Sequence, residues 1–240
     1  MDVQAHQLPI PELRRYKLEA TQRLLGDTIQ ISDADWEGPS RLPGWTRAHV
    51  AAHLARNAEA YKGLVEGVVN GHPASMYADD EQRTWAIERS SEQTPLHLQI
   101  DLDTTANALA EAFDDLSDDQ WDNPVEFDNQ SYPVAFIVLS RLSEIVLHHV
   151  DLDCGFEITQ VDDDVAGWLL RWCMQRLTDV PPEQSYEVEA PDGERTLFGP
   201  PSADAPTVSG SAAGLVGWLS GRGSDASITV SGDIGPQPLI

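Results

Sequence analysis

A chain of 240 residues with 41% apolar side chains carries enough hydrophobic material for one large core or two modest ones. Its 40 acidic side chains outnumber 15 basic ones, a formal net charge of −25, which excludes phosphate backbones as partners and disfavours anionic membranes. The acidity reads as a solvated surface, so any site for an anionic substrate must supply its own local positive charge.

The two cysteines, Cys154 and Cys173, do not make a disulfide framework. No apolar run reaches the ~20 residues of a membrane span. The opening MDVQAHQLPIPELRR lacks the basic start and apolar stretch of a secretory signal, so a cytoplasmic protein is expected.

In chain order, the first two-thirds reads as helices. Leu13, Leu18, Leu24 and Leu25 recur near helical spacing between about Ile10 and Ile31, and the turn-rich SDADWEGPSRLPGW follows. A second helix is expected after Trp45, with Thr46 as cap, an end at Asn70-Gly71, and a stripe of Val50, Leu54, Tyr61, Leu64, Val65 and Val68. Residues 71–89 read as a polar loop. A third helix is expected over about Thr94–Leu116 and a fourth over about Tyr132–Cys154. The fourth is apolar on nearly every face from Ala135 to Leu147, as befits a helix at the centre of a bundle. Four such helices predict an up-and-down four-helix bundle over residues 1–155. After Val161 another helix carries Trp168, Leu169, Leu170, Trp172 and Leu177. Pro181-Pro182 then breaks the chain, and SYEVEA, RTLFG, PTVSG and ASITVSG read as strands, with a helix near Ser211–Leu219 before the last. Residues 156–240 are therefore expected to form a smaller α+β domain, making the whole chain α+β.

The fourth helix carries the chemistry. Glu144 and His148 lie one turn apart on one face, Asp151 falls on the same line, and His149 turns away. An ionisable pair inside an apolar helix needs a reason, because an unpaired buried carboxylate is costly. A divalent cation supplies one, with His53 of the second helix as a third ligand beside Leu54. His49, one turn before His53, offers an alternative HxxxH pair and a closed structural site. The pair can equally be a hydrogen-bonded network with no metal. Asp151 is either a helix-end carboxylate paired with Arg141 or an acceptor that orients a ligand or a cofactor amine.

At these residues a resemblance enters. LPGWTRAHVAAHLA followed by RLSEIVLHHVD resembles the mycothiol-dependent maleylpyruvate isomerases, members of the DinB-like metal-binding helical bundles. The resemblance implies that His53, Glu144 and His148 bind the metal, usually zinc, and that Asp151 occupies the acidic position assigned to cofactor binding. It also covers the C-terminal part, where GLVGWLSGRGS places a functional arginine at Arg222.

The activity so implied is conversion of maleylpyruvate to fumarylpyruvate, a step of gentisate degradation, with mycothiol as the thiol cofactor and a small dicarboxylate as substrate. A thiolate adds to the conjugated double bond, the bond rotates, and the thiolate leaves. Arg222 would clamp a carboxylate or stabilise the enolate. Arg47, Arg56 and Arg141 are further candidates, with surface or ion-pair roles as the plainer reading. Two other functions stay open: a mycothiol-dependent S-transferase, which would consume its thiol, and a zinc-binding interaction module with no catalysis.

Overall fold

Helices begin in this chain where a side chain can satisfy the free N–H groups of the first turn, or where proline removes one of them. Helix α1 (Ile10–Thr28) starts after Pro9 with a second proline in its first turn. Helix α2 (Arg47–Val69) is capped by Thr46, whose hydroxyl accepts from the His49 backbone N–H while the His49 ring turns back to the Thr46 backbone. Thr94 caps α4 (Pro95–Asp114) in the same way. Helix α5 (Phe136–Asp151) has no side-chain cap; the N–H groups of Ile137 and Val138 in its first turn donate to the carbonyls of Val134 and Ala135. The computed structural model describes residues 8–72, 74–127, 130–179 and 182–237. They form two compact units that divide between residues 155 and 156.

Two elements of the N-terminal unit depart from expectation. The segment read as a polar loop contains helix α3 (Asp80–Ser91), capped by Asp79 and favoured by Asp80 and Glu81 in its first turn. It has one fully buried side chain, Ile87, so apolar periodicity could not reveal it. The fourth helix begins four residues later than expected. Tyr132 belongs instead to a hairpin, β1 (Pro124–Phe127) with antiparallel β2 (Gln130–Pro133), and its ring stacks on Phe136 at 4.6 Å.

Among the described residues, α1 packs on α5, α5 on α2, α2 on α4, and α4 on α1. The first and second helices of the chain thus sit diagonally across the bundle, and α2 lies directly against α5. That adjacency positions the site. Leu24, Trp36, Val50, Leu54, Leu98, Leu102 and Ile145 share one buried cluster at the join. Arg47 ties the start of α2 to the end of α5, donating to the carbonyls of Leu152 and Asp153.

In the C-terminal unit, α6 (Asp163–Asp179) precedes a four-stranded sheet of β3 (Tyr186–Glu189), β4 (Arg195–Phe198), β5 (Thr207–Ser209) and β6 (Thr229–Ser231). The spatial order is β4-β3-β5-β6, with β3 and β5 parallel and the other pairs antiparallel. Helix α7 (Ala212–Ser220) packs on α6. A Cβ on its Gly217 would meet the Gly223 carbonyl at 2.5 Å, so only glycine allows the chain to fold back there. The helix ends at Gly221 in the left-handed conformation, φ 72°. This bundle followed by a smaller α+β part is the fold class expected from the sequence. No helix among the described residues is long and apolar enough to cross a membrane.

Candidate metal centre

Because α2 and α5 are neighbours, His53 meets Glu144 and His148. Glu144 Oε2 lies 3.0 Å from His53 Nε2 and 3.3 Å from His148 Nε2. The two imidazoles meet edge to face, with ring centroids 4.6 Å apart. Trp45, from the turn before α2, covers His53 at 5.5 Å between ring centroids. The tryptophan-bearing turn therefore walls the site with an apolar ring.

The charges in this cluster balance through burial and hydrogen bonding. Burial pushes the Glu144 carboxyl up, but hydrogen bonds from His148 and His53 outweigh it and hold the group well below the usual carboxylate range. Burial, with the His148 charge beside it, depresses His53 to about 4. Burial also opposes a charge on His148, yet hydrogen bonds to Asp151 and Glu144 overcome it and raise the group above an ordinary histidine. Asp151 Oδ2 lies 2.8 Å from His148 Nδ1, and its side chain is 0% exposed. Of the two readings of Asp151, the geometry matches the acceptor that fixes the ring of His148. About ten residues, roughly 15 Å of helix rise, separate it from Arg141.

The donor set fits a divalent cation. Donors around a four-coordinate ion with bonds of about 2.1 Å lie about 3.4 Å apart, close to the separations from Glu144 to the two imidazoles. His53, Glu144 and His148 each offer an atom within 4.8 Å of the others, and no fourth His, Cys, Asp or Glu joins them among the described residues. A carboxylate on the far nitrogen of a ligating histidine is the usual support for such a site.

The remaining candidates fall elsewhere. His49 has its Nδ1 on the Thr46 hydroxyl at 2.6 Å and its Nε2 on Glu88 at 3.3 Å, so it caps α2 and braces α3. His149 faces α1, with Nε2 3.1 Å from Asp27. Arg47 is bound to α5 backbone, Arg56 to Asp101 and Glu59, and Arg141 to the Leu54 carbonyl and Asn57. Arg222 is buried in the C-terminal unit just beyond α7, donating from Nη1 to the Ser220 carbonyl at 2.9 Å. It is therefore not a solvated turn residue.

Sequence reasoning missed two residues at this site. Arg83 Nη2 on α3 lies 3.4 Å from His53 Nδ1, and Tyr77, just before α3, lies in the fields of Arg83 and Glu144. The signal was available in Asp79-Asp80-Glu81 as a helix start and in Arg83 and Ile87 as an i, i+4 pair facing α2.

Two family models match the chain. Residues 18–153 match the mycothiol maleylpyruvate isomerase N-terminal domain, and residues 157–235 match the MDMPI C-terminal domain. Among solved structures, the crystal structure of the mycothiol-dependent maleylpyruvate isomerase is similar at 27% identity and TM-score 0.87, covering 98% of this chain and 99% of that one. A histidine-to-alanine mutant of the mycothiol-dependent maleylpyruvate isomerase is similar at 26% identity and TM-score 0.87, with the same coverage. No curated protein matches.

Proposed function

Because the chain belongs to the mycothiol maleylpyruvate isomerase family, we propose that it converts maleylpyruvate to fumarylpyruvate with a divalent cation, zinc by preference, and mycothiol as cofactors. The observation that carries this reading is the convergence of His53, Glu144 and His148 with Asp151 behind them. His53, Glu144 and His148 would hold the cation by three donors, and a four-coordinate cation there could take one ligand from outside. When bound, the cation and thiol cofactor would supply a thiolate for reversible addition to the conjugated double bond, which would leave a single bond free to rotate.

The chain's own residues prepare that chemistry. Two neutral imidazoles and one carboxylate reduce a divalent cation to about one positive charge, which still favours a thiolate ligand. Asp151 lies against His148 Nδ1 and would keep the ring proton there in a metal-loaded site, freeing Nε2, on the Glu144 side, to ligate. Trp45 keeps water from one side of His53. The protein's own thiols are poor nucleophiles: burial, reinforced by the charge of Asp27, raises Cys154, and burial pushes Cys173 up to about 12. An external thiol answers that lack. Both cysteines are free, as suits a reducing cytoplasm.

Addition would place negative charge on the substrate's ketone oxygen; on reversal that electron pair would re-form the carbon–carbon double bond and the charge would depart on the thiolate. Arg222 is assigned to that charge in this reading, on the resemblance of its Gly-Arg stretch. The decisive experiment measures bound zinc and follows maleylpyruvate spectroscopically with and without mycothiol. Isomerisation that needs both and consumes no thiol is expected; stoichiometric thiol consumption would instead identify an S-transferase. His53→Ala should lose zinc and turnover together, whereas Arg222→Ala should keep zinc and lose turnover. Full activity in either variant overturns the corresponding assignment.

A further inference from the structure

The isomerase substrate carries two carboxylates as well as the charge that develops on its ketone oxygen. In a chain of net charge −25, each such charge needs a nearby cation that acidic neighbours have not already neutralised. Most arginines of the N-terminal unit are taken: Arg14, Arg41, Arg47 and Arg56 pair with Asp114, Asp153, Asp153 and Asp101. Arg83 differs. Among the described residues it forms no ion pair, and its side chain's one hydrogen bond is the 3.4 Å contact to His53 Nδ1.

That contact depends on the tautomer of His53. Nδ1 accepts from Arg83 only while the ring proton sits on Nε2, against Glu144. A cation held by Nε2 requires the proton on Nδ1, where it faces a guanidinium that can only donate. Loading the site therefore removes Arg83's hydrogen-bond partner and leaves its fork of donors beside the metal ligands. Tyr77 supplies the second observation. Its hydroxyl is buried and has no hydrogen-bond partner among the described residues. Leaving a buried hydroxyl unsatisfied is costly. Arg83 and Glu144 lead the charged groups whose fields act on it.

We propose that Arg83 and the Tyr77 hydroxyl together receive a carboxylate of the substrate at the rim of the metal site. The proposal rests on the isomerase reading, and it assigns to α2's companion helix a role separate from that of Arg222. A guanidinium binds a carboxylate through two parallel N–H donors, and a phenol adds a third. Helix α3 is fixed for this purpose by Ile87 beneath it and by Glu88 on His49.

The test uses maleate, a stable cis dicarboxylate, titrated calorimetrically into the zinc-loaded full chain. Arg83→Gln should weaken maleate binding by roughly 10- to 100-fold, the range expected for hydrogen bonds to a charged group. Arg83→Lys should fall between that variant and the parent, and Tyr77→Phe should weaken binding about tenfold. Zinc stoichiometry and mycothiol affinity should not change in any of them. Arg89→Gln, on the same helix but paired with Glu92, should match the parent. Unchanged maleate affinity in both Arg83 variants overturns the proposal. So does a primary loss of zinc or mycothiol, because Arg83 would then serve His53 or the thiol. If the parent protein fails to isomerise maleylpyruvate, the isomerase reading falls, and the maleate titration still decides whether Arg83 binds a dicarboxylate.

Discussion

Two basic groups in the bundle show how differently a charge can be accommodated. His148 is flanked by Glu144 at 3.3 Å and Asp151 at 2.8 Å, and hydrogen bonds to these two groups outweigh the burial that opposes a charge on its ring. Lys17 has no such surroundings. The residue is 5% exposed, and its ammonium lies 5.6 Å from the centre of the Phe113 ring. Burial, then repulsion from Arg141 and Arg14, lowers it to about 8 from an ordinary 10.5. A lysine whose folded pKa is depressed costs stability below that pKa, and the cost fades as pH rises toward the unfolded value. The shift corresponds to about 3 kcal/mol at neutral pH. Lys17→Met should therefore stabilise the fold by about 1–3 kcal/mol at pH 7, read from urea unfolding. The gain should shrink between about pH 8 and 10. A gain independent of pH would show that packing, not charge, limits the parent.

At the scale of elements, legibility followed burial. Helices α2, α4 and α5 announce themselves through apolar stripes, the first two also through threonine caps, and the candidate ligands His53, Glu144 and His148 stand out as polar breaks in those stripes. Helix α3 does not, because it presents Ile87 alone to the core and is otherwise held by polar contacts. The start of α5 was misplaced for the opposite reason. Tyr132 extends the apolar run of the helix, yet it lies in a strand that stacks its ring on Phe136. Local sequence cannot show which of two elements takes such a residue. A helix docked by a single buried side chain makes its own prediction. Ile87→Ala, a loss of about 2–4 kcal/mol for so buried a site, exceeds what α3's remaining contacts can hold. Amide exchange should accelerate across residues 80–91 while the α2 and α5 cores stay protected. Uniform acceleration through the bundle would mean that α3 is integral to it.

At the scale of the whole molecule, the sequence ties only two helices together, through the expected ligand set, and leaves the rest of the arrangement open. The ring order α1–α5–α2–α4 comes from side-chain packing over the full bundle, and it brings His53 to Glu144 and His148 on α5. Net charge, by contrast, is legible at once, and it sets a conflict that kinetics can measure. A surface of −25 repels a dianionic substrate at long range, whereas the arginines assigned to the substrate attract it at short range. The Debye length falls from about 30 Å at 0.01 M salt to about 8 Å at 0.15 M. Across that interval the distant acidic groups are screened first, while an arginine within a few ångströms of the bound substrate keeps most of its pull. The enzyme's kcat/KM for maleylpyruvate should therefore rise by a few-fold from 0.01 M to 0.15 M salt, opposite to the fall expected when a protein's overall field steers its ligand in. A fall from the lowest salt onward would mean that the local arginines govern encounter as well as binding. The acidic surface would then be kinetically silent.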